Sequence, residues 1–140
     1  MKKMMNRINK KEGFTLAELL IVVAIIAVLV AVSIPVFTSR LEKAREATDL
    51  ANLRAAYAAG VAEYMGNTET YATTAGSFLY NAGKGSLDTT GDKCLKGQAG
   101  TGADSSIAIG GFDYHINTAY AGKDIVVSIG TDGTVSLSAQ

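Results

Sequence analysis

The spacing of hydrophobic positions changes twice along this chain of 140 residues. Residues 19–39 form one apolar run that contains no charge. In residues 50–64 the apolar side chains recur at steps of three and four, which is the spacing of one helix face. From residue 106 onward they alternate with polar side chains, as in strands with one buried face. This order predicts an α+β protein in which a long helix precedes a small antiparallel sheet.

The apolar run is long enough to cross a membrane as a helix. It comprises 21 residues, and at about 1.5 Å per residue such a helix spans the ~30 Å hydrocarbon core. The residues in it that are not apolar all fall late: Ser33, Pro35, Thr38 and Ser39. Five basic residues precede it: Lys2, Lys3, Arg7, Lys10 and Lys11. Because basic flanks stay on the cytoplasmic side, the N-terminus is predicted inside and the C-terminus outside.

Two other interpretations of the apolar run compete with a membrane anchor. A buried core helix of a soluble protein is rarely this long and apolar on all sides. A secretory signal peptide would be cut after Ala31 or Ser33, but its apolar region usually comprises about 7–15 residues. The membrane anchor therefore accounts best for the length of the run.

One carboxylate, Glu18, lies next to the apolar run on its N-terminal side. An unpaired carboxylate in lipid costs a few kcal/mol or more, on the order of 2.5–3.5 at the centre of a membrane helix. Glu18 is near the predicted helix start, so its side chain can reach the cytoplasmic interface. The alternative is a functional partner within the membrane, and the physical argument alone leaves both open.

Residues 11–27 read KEGFTLAELLIVVAIIA. This segment resembles the N-terminal processing and methylation motif of type IV prepilins and type II secretion pseudopilins. It combines a short basic leader, a Gly–Phe junction, a Glu at the fifth position after that junction and a spanning apolar run. The resemblance is close over residues 1–40 and loose to about residue 65, and the rest of the chain carries no family signature.

The resemblance implies a role for each matching residue. Gly13 would be the last leader residue, where a prepilin peptidase cuts, and Phe14 would become the N-methylated N-terminus. Glu18 would guide assembly by pairing with the Phe14 amine of a neighbouring subunit. Pro35 would kink the helix late in the anchor, because proline has no N–H for the Ala31 carbonyl.

The helix is predicted to continue beyond the anchor to about residue 65. The stripe at Leu50, Leu53, Tyr57, Val61 and Tyr64 is amphipathic, and Gly66-Asn67 resembles a helix end. One helix over residues 14–65 would be about 78 Å long. Its second half is predicted to pack one face on the sheet.

The rest of the chain, from residue 67 onward, is predicted to be a loop followed by strands. Residues 67–106 are rich in Gly, Ser, Thr and Ala and predict a long surface loop, with a short element around Ser77–Tyr80. Alternation predicts strands over residues 112–116, 125–129 and 135–137, and Ser106–Ile109 as a fourth strand across a Gly110-Gly111 turn. Asp132-Gly133 predicts a two-residue hairpin turn.

Charge and candidate chemistry argue against an enzyme. Residues 1–13 carry five basic residues and one acidic residue, a net of +4, and the remainder carries eight basic and twelve acidic, a net of −4, with no basic stripe for nucleic acid. Cys94 is the only cysteine, so no intrachain disulfide forms. His115 is the only histidine and is predicted on the polar face of a strand. Residues 83–86 lack the order of a phosphate-binding loop.

A calcium site is the remaining candidate for metal binding, because some pseudopilins have one. Its ligands would come from Asp88, Asp92, Asp104 and Asp132. Their spacing fits no defined calcium loop, so no metal and no cofactor is predicted.

The interpretation is therefore a pilin fold with a leader peptide (residues 1–13), a membrane and assembly helix (14–39) and an extracytoplasmic head (40–140). The resemblance implies a structural subunit of a type IV pilus-like filament. Its partners would be its own copies and minor pilins, the prepilin peptidase/methyltransferase, the inner-membrane assembly platform with its ATPase, and membrane lipid. It would reside in the cytoplasmic membrane and then in an extracellular or periplasmic filament.

Two alternatives to a pilus subunit stay open. The first is a pseudopilin of a type II secretion or competence DNA-uptake system. The second, from another class, is a single-span anchored binding module that is not cleaved and does not polymerise. Many Gram-negative pilins close their C-terminal region with a disulfide, and the single cysteine argues against that adhesive type.

Overall fold

A computed structural model describes residues 13–98, 105–116 and 118–140. The chain forms one long helix, α1 (Leu16–Gly66), and a short helix, α2 (Thr68–Tyr71). Six strands follow: β1 (Gly76–Asn81), β2 (Ser86–Asp88), β3 (Ser106–Ile109), β4 (Phe112–His115), β5 (Ile125–Ile129) and β6 (Val135–Ala139). The predicted helix over residues 14–65 is confirmed to within two residues at its start and one at its end. The predicted leader, residues 1–13, lies outside the described residues except for Gly13.

The chain divides into two compact units between Thr38 and Ser39. We call residues up to Thr38 the first unit and Ser39–Gln140 the second unit. The first unit contains the apolar half of α1, and the second contains the rest of α1 with α2 and all six strands. The division falls one residue from the predicted end of the anchor, although compactness alone does not test the membrane prediction.

The strands of the second unit form two antiparallel sheets. The larger sheet has the order β2-β1-β5-β6, and β3 pairs with β4 as a separate hairpin. In the larger sheet Phe78 lies opposite Val127, which in turn lies opposite Leu137. A long N-terminal helix with a small antiparallel sheet of four strands confirms the predicted α+β class and is consistent with a pilin fold.

The segment predicted as a long loop is partly regular, so that prediction was wrong in part. Residues 67–106 contain α2, β1 and β2. β1 extends the expected short element at Ser77–Tyr80 and pairs along its length with β5. Small and polar residues hide this strand in the sequence, but pairing with the apolar strand β5 satisfies its backbone and buries Tyr80.

The two predicted turns have different outcomes. Gly110 and Gly111 form the predicted two-residue turn between β3 and β4, with φ of 55° and 75°. Such paired positive φ values suit a type I′ hairpin turn. A turn is present at Asp132-Gly133, with Gly133 at φ 83°, but its predicted length of two residues was wrong, because β5 and β6 are joined by residues 130–134. The Asp132 carboxylate instead accepts hydrogen bonds from the N–H and hydroxyl of Thr134, at 3.0 and 2.6 Å.

The helix face that packs on the sheet is rotated from the predicted stripe. Of that stripe only Leu53 is buried, and Tyr57 is 38% exposed. The buried positions of α1 are Asp49, Leu53, Ala56 and Gly60. A Cβ on Gly60 would lie 2.6 Å from Val127 Cγ1 and 2.7 Å from Val135 Cγ1, so the sheet approaches where α1 has small side chains. The buried face of α1 is therefore the one whose small side chains let the sheet approach closely, and not the one with the largest apolar residues.

The core of the second unit is aromatic where β4 meets the following loop. Tyr114 stacks on Tyr120 with ring centroids 4.7 Å apart, and Phe112 meets Tyr120 edge-on at 5.8 Å. Ile125 and Val127 of β5 are fully buried in the same cluster. These contacts join the β3–β4 hairpin to the core although it shares no sheet with β5.

Candidate functional site

The residues of the predicted processing site lie at the start of the described chain. Gly13, Phe14 and Thr15 are not helical, and α1 begins at Leu16. The Phe14 side chain is 92% exposed, and a Cβ on Gly13 would meet no atom within 4 Å. The Gly13–Phe14 peptide is therefore open on all sides among the described residues.

Thr15 and Glu18 cap the first turn of α1 reciprocally. The backbone N–H and the hydroxyl of Thr15 donate to Glu18 Oε2 at 2.8 and 2.7 Å. The Glu18 N–H donates to Thr15 Oγ1 at 3.3 Å. This is a capping box, which satisfies backbone donors that a helix N-terminus leaves without partners. The prediction for Glu18 named the residue but not this contact, although Thr-x-x-Glu before an apolar run is its sequence signature.

The capping box leaves one carboxylate oxygen of Glu18 without a donor. Both hydrogen bonds that the carboxylate accepts go to Oε2, and no donor within residues 13–98, 105–116 and 118–140 reaches Oε1. The negative charge also lies at the positive end of the helix dipole. Glu18 is thus held in place at the helix start with an acceptor available to a second molecule.

The apolar half of α1 buries none of its large side chains within the chain. All of its large hydrophobic residues from Leu16 to Phe37 are exposed. In the described part of the chain, α1 is the one helix long and apolar enough to cross a membrane, judged by length and composition. Ser33 and Thr38 donate their hydroxyls to the carbonyls of Leu29 and Pro35, at 2.6 and 3.0 Å. The hydroxyls of Ser33 and Thr38 are therefore satisfied within the helix itself.

Pro35 lies inside α1, which is continuous across it. A proline there removes one helical N–H and leaves the Ala31 carbonyl without its usual donor. The predicted kink at Pro35 stays a prediction.

The residue that sequence analysis missed is Asp49, a fully buried carboxylate on α1. Its Oδ1 accepts the Lys96 N–H at 2.8 Å, and its Oδ2 accepts the Gly97 N–H at 2.7 Å and the Tyr114 hydroxyl at 3.0 Å. Two turns earlier, Glu42 accepts the N–H of Gln98. The carboxylates of α1 thereby hold a segment without regular secondary structure. The only sequence signal for Asp49 is its i,i+4 spacing from Leu53, which ordinary solvated helix residues share.

Burial and the adjacent Asp49 carboxylate raise the pKa of the Tyr114 hydroxyl well above its ordinary value. The hydroxyl therefore stays protonated and keeps donating to Asp49. Burying a carboxylate is costly unless hydrogen bonds compensate for its lost hydration. Asp49 has three such bonds, and they connect α1 to β4 and to residues 96–97.

The candidates for metal and thiol chemistry are not gathered into a site. Cys94 is buried, and burial, with the Asp92 carboxylate adding to it, raises the pKa of its thiol to about 12. His115 lies on the face of β4 opposite the buried Tyr114, the predicted polar face, and is half-buried there. No group of three or more His, Cys, Asp or Glu residues within the described ranges could hold a metal ion.

The aspartates proposed for calcium have other contacts. The Asp88 carboxylate pairs with Lys84 Nζ at 2.6 Å, and the Asp92 carboxylate accepts the Gly83 N–H at 3.1 Å. Asp132 caps its own turn through Thr134. Asp104, the fourth proposed ligand, lies outside the described residues.

Comparison with known protein families gives one match, over residues 8–34, to the prokaryotic N-terminal methylation motif. The matched segment contains Gly13, Phe14 and Glu18, and it supports the resemblance to type IV pilins and pseudopilins. The motif implies processing by a prepilin peptidase, membrane anchoring by the apolar helix and pilus-type assembly, and proteins of this type are structural subunits. No solved structure matches the chain.

Proposed function

We propose that this chain is a structural subunit of a type IV pilus-like filament with no catalytic activity of its own. The observation that carries the proposal is the methylation motif over residues 8–34, placed at the start of a helix whose apolar side chains are exposed. Such an apolar surface is stable only in contact with lipid or with neighbouring helices. A pilin-type subunit contacts lipid before assembly and neighbouring helices in the filament.

The open Gly13–Phe14 peptide is the proposed cleavage point. An extended backbone without a side chain at Gly13 enters a peptidase cleft easily, because glycine imposes no steric limit on the approach. Cleavage leaves a positively charged amine on Phe14, and N-methylation keeps that charge. The exposed Phe14 side chain leaves the amine accessible both to the methyltransferase and to a neighbouring subunit.

The Glu18 carboxylate is proposed to set the axial position of each incoming subunit. Its Oε1 has no donor within the described chain, whereas Oε2 accepts both contacts from Thr15. The Phe14 amine of an incoming subunit can donate to Oε1 without breaking the capping box. In a medium of low dielectric constant an unpaired carboxylate is far more costly than a paired one. Pairing therefore favours the one axial position at which the amine meets Glu18.

Residues 14–39 hold the subunit in the membrane before assembly and line the filament afterwards. The basic leader places the N-terminus in the cytoplasm and residues 40–140 outside. An inner-membrane platform and its ATPase then extract the subunit into the filament. The exposed apolar side chains pass from lipid to neighbouring helices, so no step exposes them to water.

The N-terminal peptide of the membrane-associated protein from its native host tests this proposal by mass spectrometry. A peptide that begins at N-methylated Phe14 is expected. A peptide that begins at Met1 would favour an anchored binding module, and a start after Ala31 or Ser33 would indicate a secreted protein.

The Gly13→Leu variant is the matched test of the cleavage site. We expect the uncut precursor to accumulate, seen as a slower band on a gel, because a branched side chain blocks the peptidase cleft. Gly66→Leu, which adds the same side chain at the far end of α1, is the control and should be processed normally. Normal processing of Gly13→Leu would contradict the assignment.

A further inference from the structure

Charges in the second unit are segregated along α1. From Ala55 to Gly83 and from Asp124 to the C-terminus the sequence contains no lysine or arginine, although four acidic residues lie there: Glu63, Glu69, Asp124 and Asp132. Residues 40–54 contain four basic residues: Arg40, Lys43, Arg45 and Arg54. The start of this part of α1 is thus basic and its end is acidic.

The acidic residues near the basic end are turned toward the protein. Asp49 is buried, Glu46 is half-buried, and Glu42 is half-buried between Arg45 and the Gln98 N–H. Arg40 and Lys43 are exposed, and between them the Leu41 side chain is 39% exposed. We call Arg40, Leu41 and Lys43 the basic patch.

The other end of α1 has the complementary composition. Glu69 and Asp132 are exposed, and the Met65 side chain is 73% exposed. The turn that carries Asp132 reaches the helix end, since a Cβ on Gly133 would lie 2.8 Å from the Tyr64 ring. We call Met65, Glu69 and Asp132 the acidic patch.

The end of α1 also lacks a cation of its own. No basic residue occurs in its last turn. The carbonyl groups at a helix C-terminus carry a partial negative charge that a nearby cation stabilises. The acidic patch therefore adds two carboxylates to a helix end that is already negative, and only a cation from elsewhere can compensate them.

Large apolar side chains mark the same two places. In the described part of the second unit only three large hydrophobic side chains are exposed: Leu41, Tyr57 and Met65. One lies in the basic patch and one in the acidic patch. A central apolar contact with a charged rim is the usual composition of a specific protein interface.

We propose that the acidic patch of one copy of this chain docks on the basic patch of another copy farther along the same filament. This inference rests on the proposed function and names the contact between second units that follows the pairing at Glu18. The two patches differ, so the contact is heterologous, and a heterologous contact that does not close into a ring produces an open filament. Opposite charges also reject the inverted arrangement, in which like patches would face each other.

The helix sets the spacing of the contact. Leu41 and Met65 are 24 positions apart on α1, about 36 Å at 1.5 Å per residue. Copies in contact through these patches are therefore displaced by about 36 Å along the helix direction. Filament images of the native polymer are expected to contain an axial neighbour at this distance.

Charge reversal in the native host tests the contact. The Arg40→Glu plus Lys43→Glu variant and the Glu69→Lys plus Asp132→Lys variant should each lower the yield of sheared filaments about fivefold or more, because each places like charges across every contact. The variant with all four substitutions restores opposite charges and should recover most of the yield. Recovery is the decisive result, since two unrelated folding defects would not cancel.

Two exposed residues outside the patches serve as controls. Arg54→Glu reverses a basic residue of α1, and Asp113→Lys reverses an acidic residue of β4. Both should leave the yield near that of the wild type. If the basic patch bound anionic lipid headgroups instead, Glu69→Lys plus Asp132→Lys would leave the filament yield at the wild-type level, and the variant with all four substitutions would not recover that yield. This result would overturn the proposal.

Disulfide crosslinking provides a second, independent readout. The Leu41→Cys plus Met65→Cys variant should form a ladder of covalent multimers in oxidised filaments, whereas either single variant should stay monomeric. The native Cys94 is buried and does not interfere. Dimers from a single variant would indicate like-with-like contacts and would overturn the proposal.

Failure of this inference is distinguishable from failure of the proposed function. A wild-type chain that forms no filament would refute the proposed function itself. Wild-type filaments that are indifferent to all charge reversals and give no crosslinked ladder would refute only the patch contact.

Discussion

In the described part of the first unit every large apolar side chain is exposed, whereas in the described second unit only Leu41, Tyr57 and Met65 are. The same helix passes through both units. Its first half therefore has no core to join and depends on lipid or neighbouring subunits. Its second half packs on the sheet through Leu53, Ala56 and Gly60.

The two units also differ in how their carboxylates are bonded. Among the described residues no donor reaches Glu18 Oε1 in the first unit, so a second molecule can donate to it. Asp49 in the second unit receives three donors from its own chain. We propose that Glu18 acts in assembly and Asp49 in stability, and the substitutions below separate the two roles.

Glu18→Ala is expected to have the largest effect on the filament and little effect on the second unit. Loss of the carboxylate removes the proposed partner of the Phe14 amine, so sheared filaments should fall about tenfold or more, since each mismatched subunit leaves a charge unpaired in low dielectric. Cleavage at Gly13 should continue, as measured by gel mobility. Wild-type filament yield would contradict the assembly role of Glu18.

Asp49→Ala should have the largest effect on stability of the second unit. It leaves the part-buried donor at Lys96 and the buried donors at Gly97 and Tyr114 without an acceptor, and we expect a loss of about 3–5 kcal/mol. Urea unfolding of the detergent-solubilised chain, followed by tyrosine fluorescence, measures the change. Asp113→Ala removes an exposed carboxylate of β4 and is the control, with an expected change within about 0.5 kcal/mol.

Gly60→Ala tests the close approach of α1 to the sheet. Its Cβ would lie 2.6 Å from Val127 Cγ1 and 2.7 Å from Val135 Cγ1, so the sheet must shift, and we expect a loss of about 1–3 kcal/mol. Gly66→Ala is the matched control on the same helix, because its Cβ would meet nothing within 4 Å. If both variants had equal stability in urea unfolding, the proposed packing would be wrong.

Cys94 provides the smallest and most local test of burial in the second unit. Its thiol pKa of about 12, raised from 9.0 mainly by burial, lowers the thiolate fraction near pH 8.5 by roughly a thousandfold. Alkylation by iodoacetamide at that pH should therefore be at least a hundredfold slower than in urea. The raised pKa stabilises the fold below about pH 9 and ceases to do so as the pH rises toward 12. Equal alkylation rates with and without urea would contradict the burial.

The sheet illustrates where sequence patterns were sufficient and where they were not. Alternating residues in β5 and β6 and the Gly110-Gly111 turn were predicted correctly, because local period and glycine chemistry determine them. β1 was anticipated only as a short element at Ser77–Tyr80 within a loop and not as a strand of the sheet, because its Gly, Ser and Asn residues resemble a loop. Its extended form depends on pairing with β5, which lies about 50 residues later in the chain.

The residues of the candidate site likewise separate into those that the sequence predicts and those that only the tertiary structure reveals. The sequence by itself identified the apolar run and the proposed processing and assembly residues Gly13, Phe14 and Glu18, because length, charge and a contiguous motif express them. The tertiary structure alone decided that Asp49 is buried with three donors and that Gly60 faces the sheet. It also decided that the basic and acidic patches remain exposed. These features depend on which residues distant in the chain approach α1, and no periodicity along one helix contains that information.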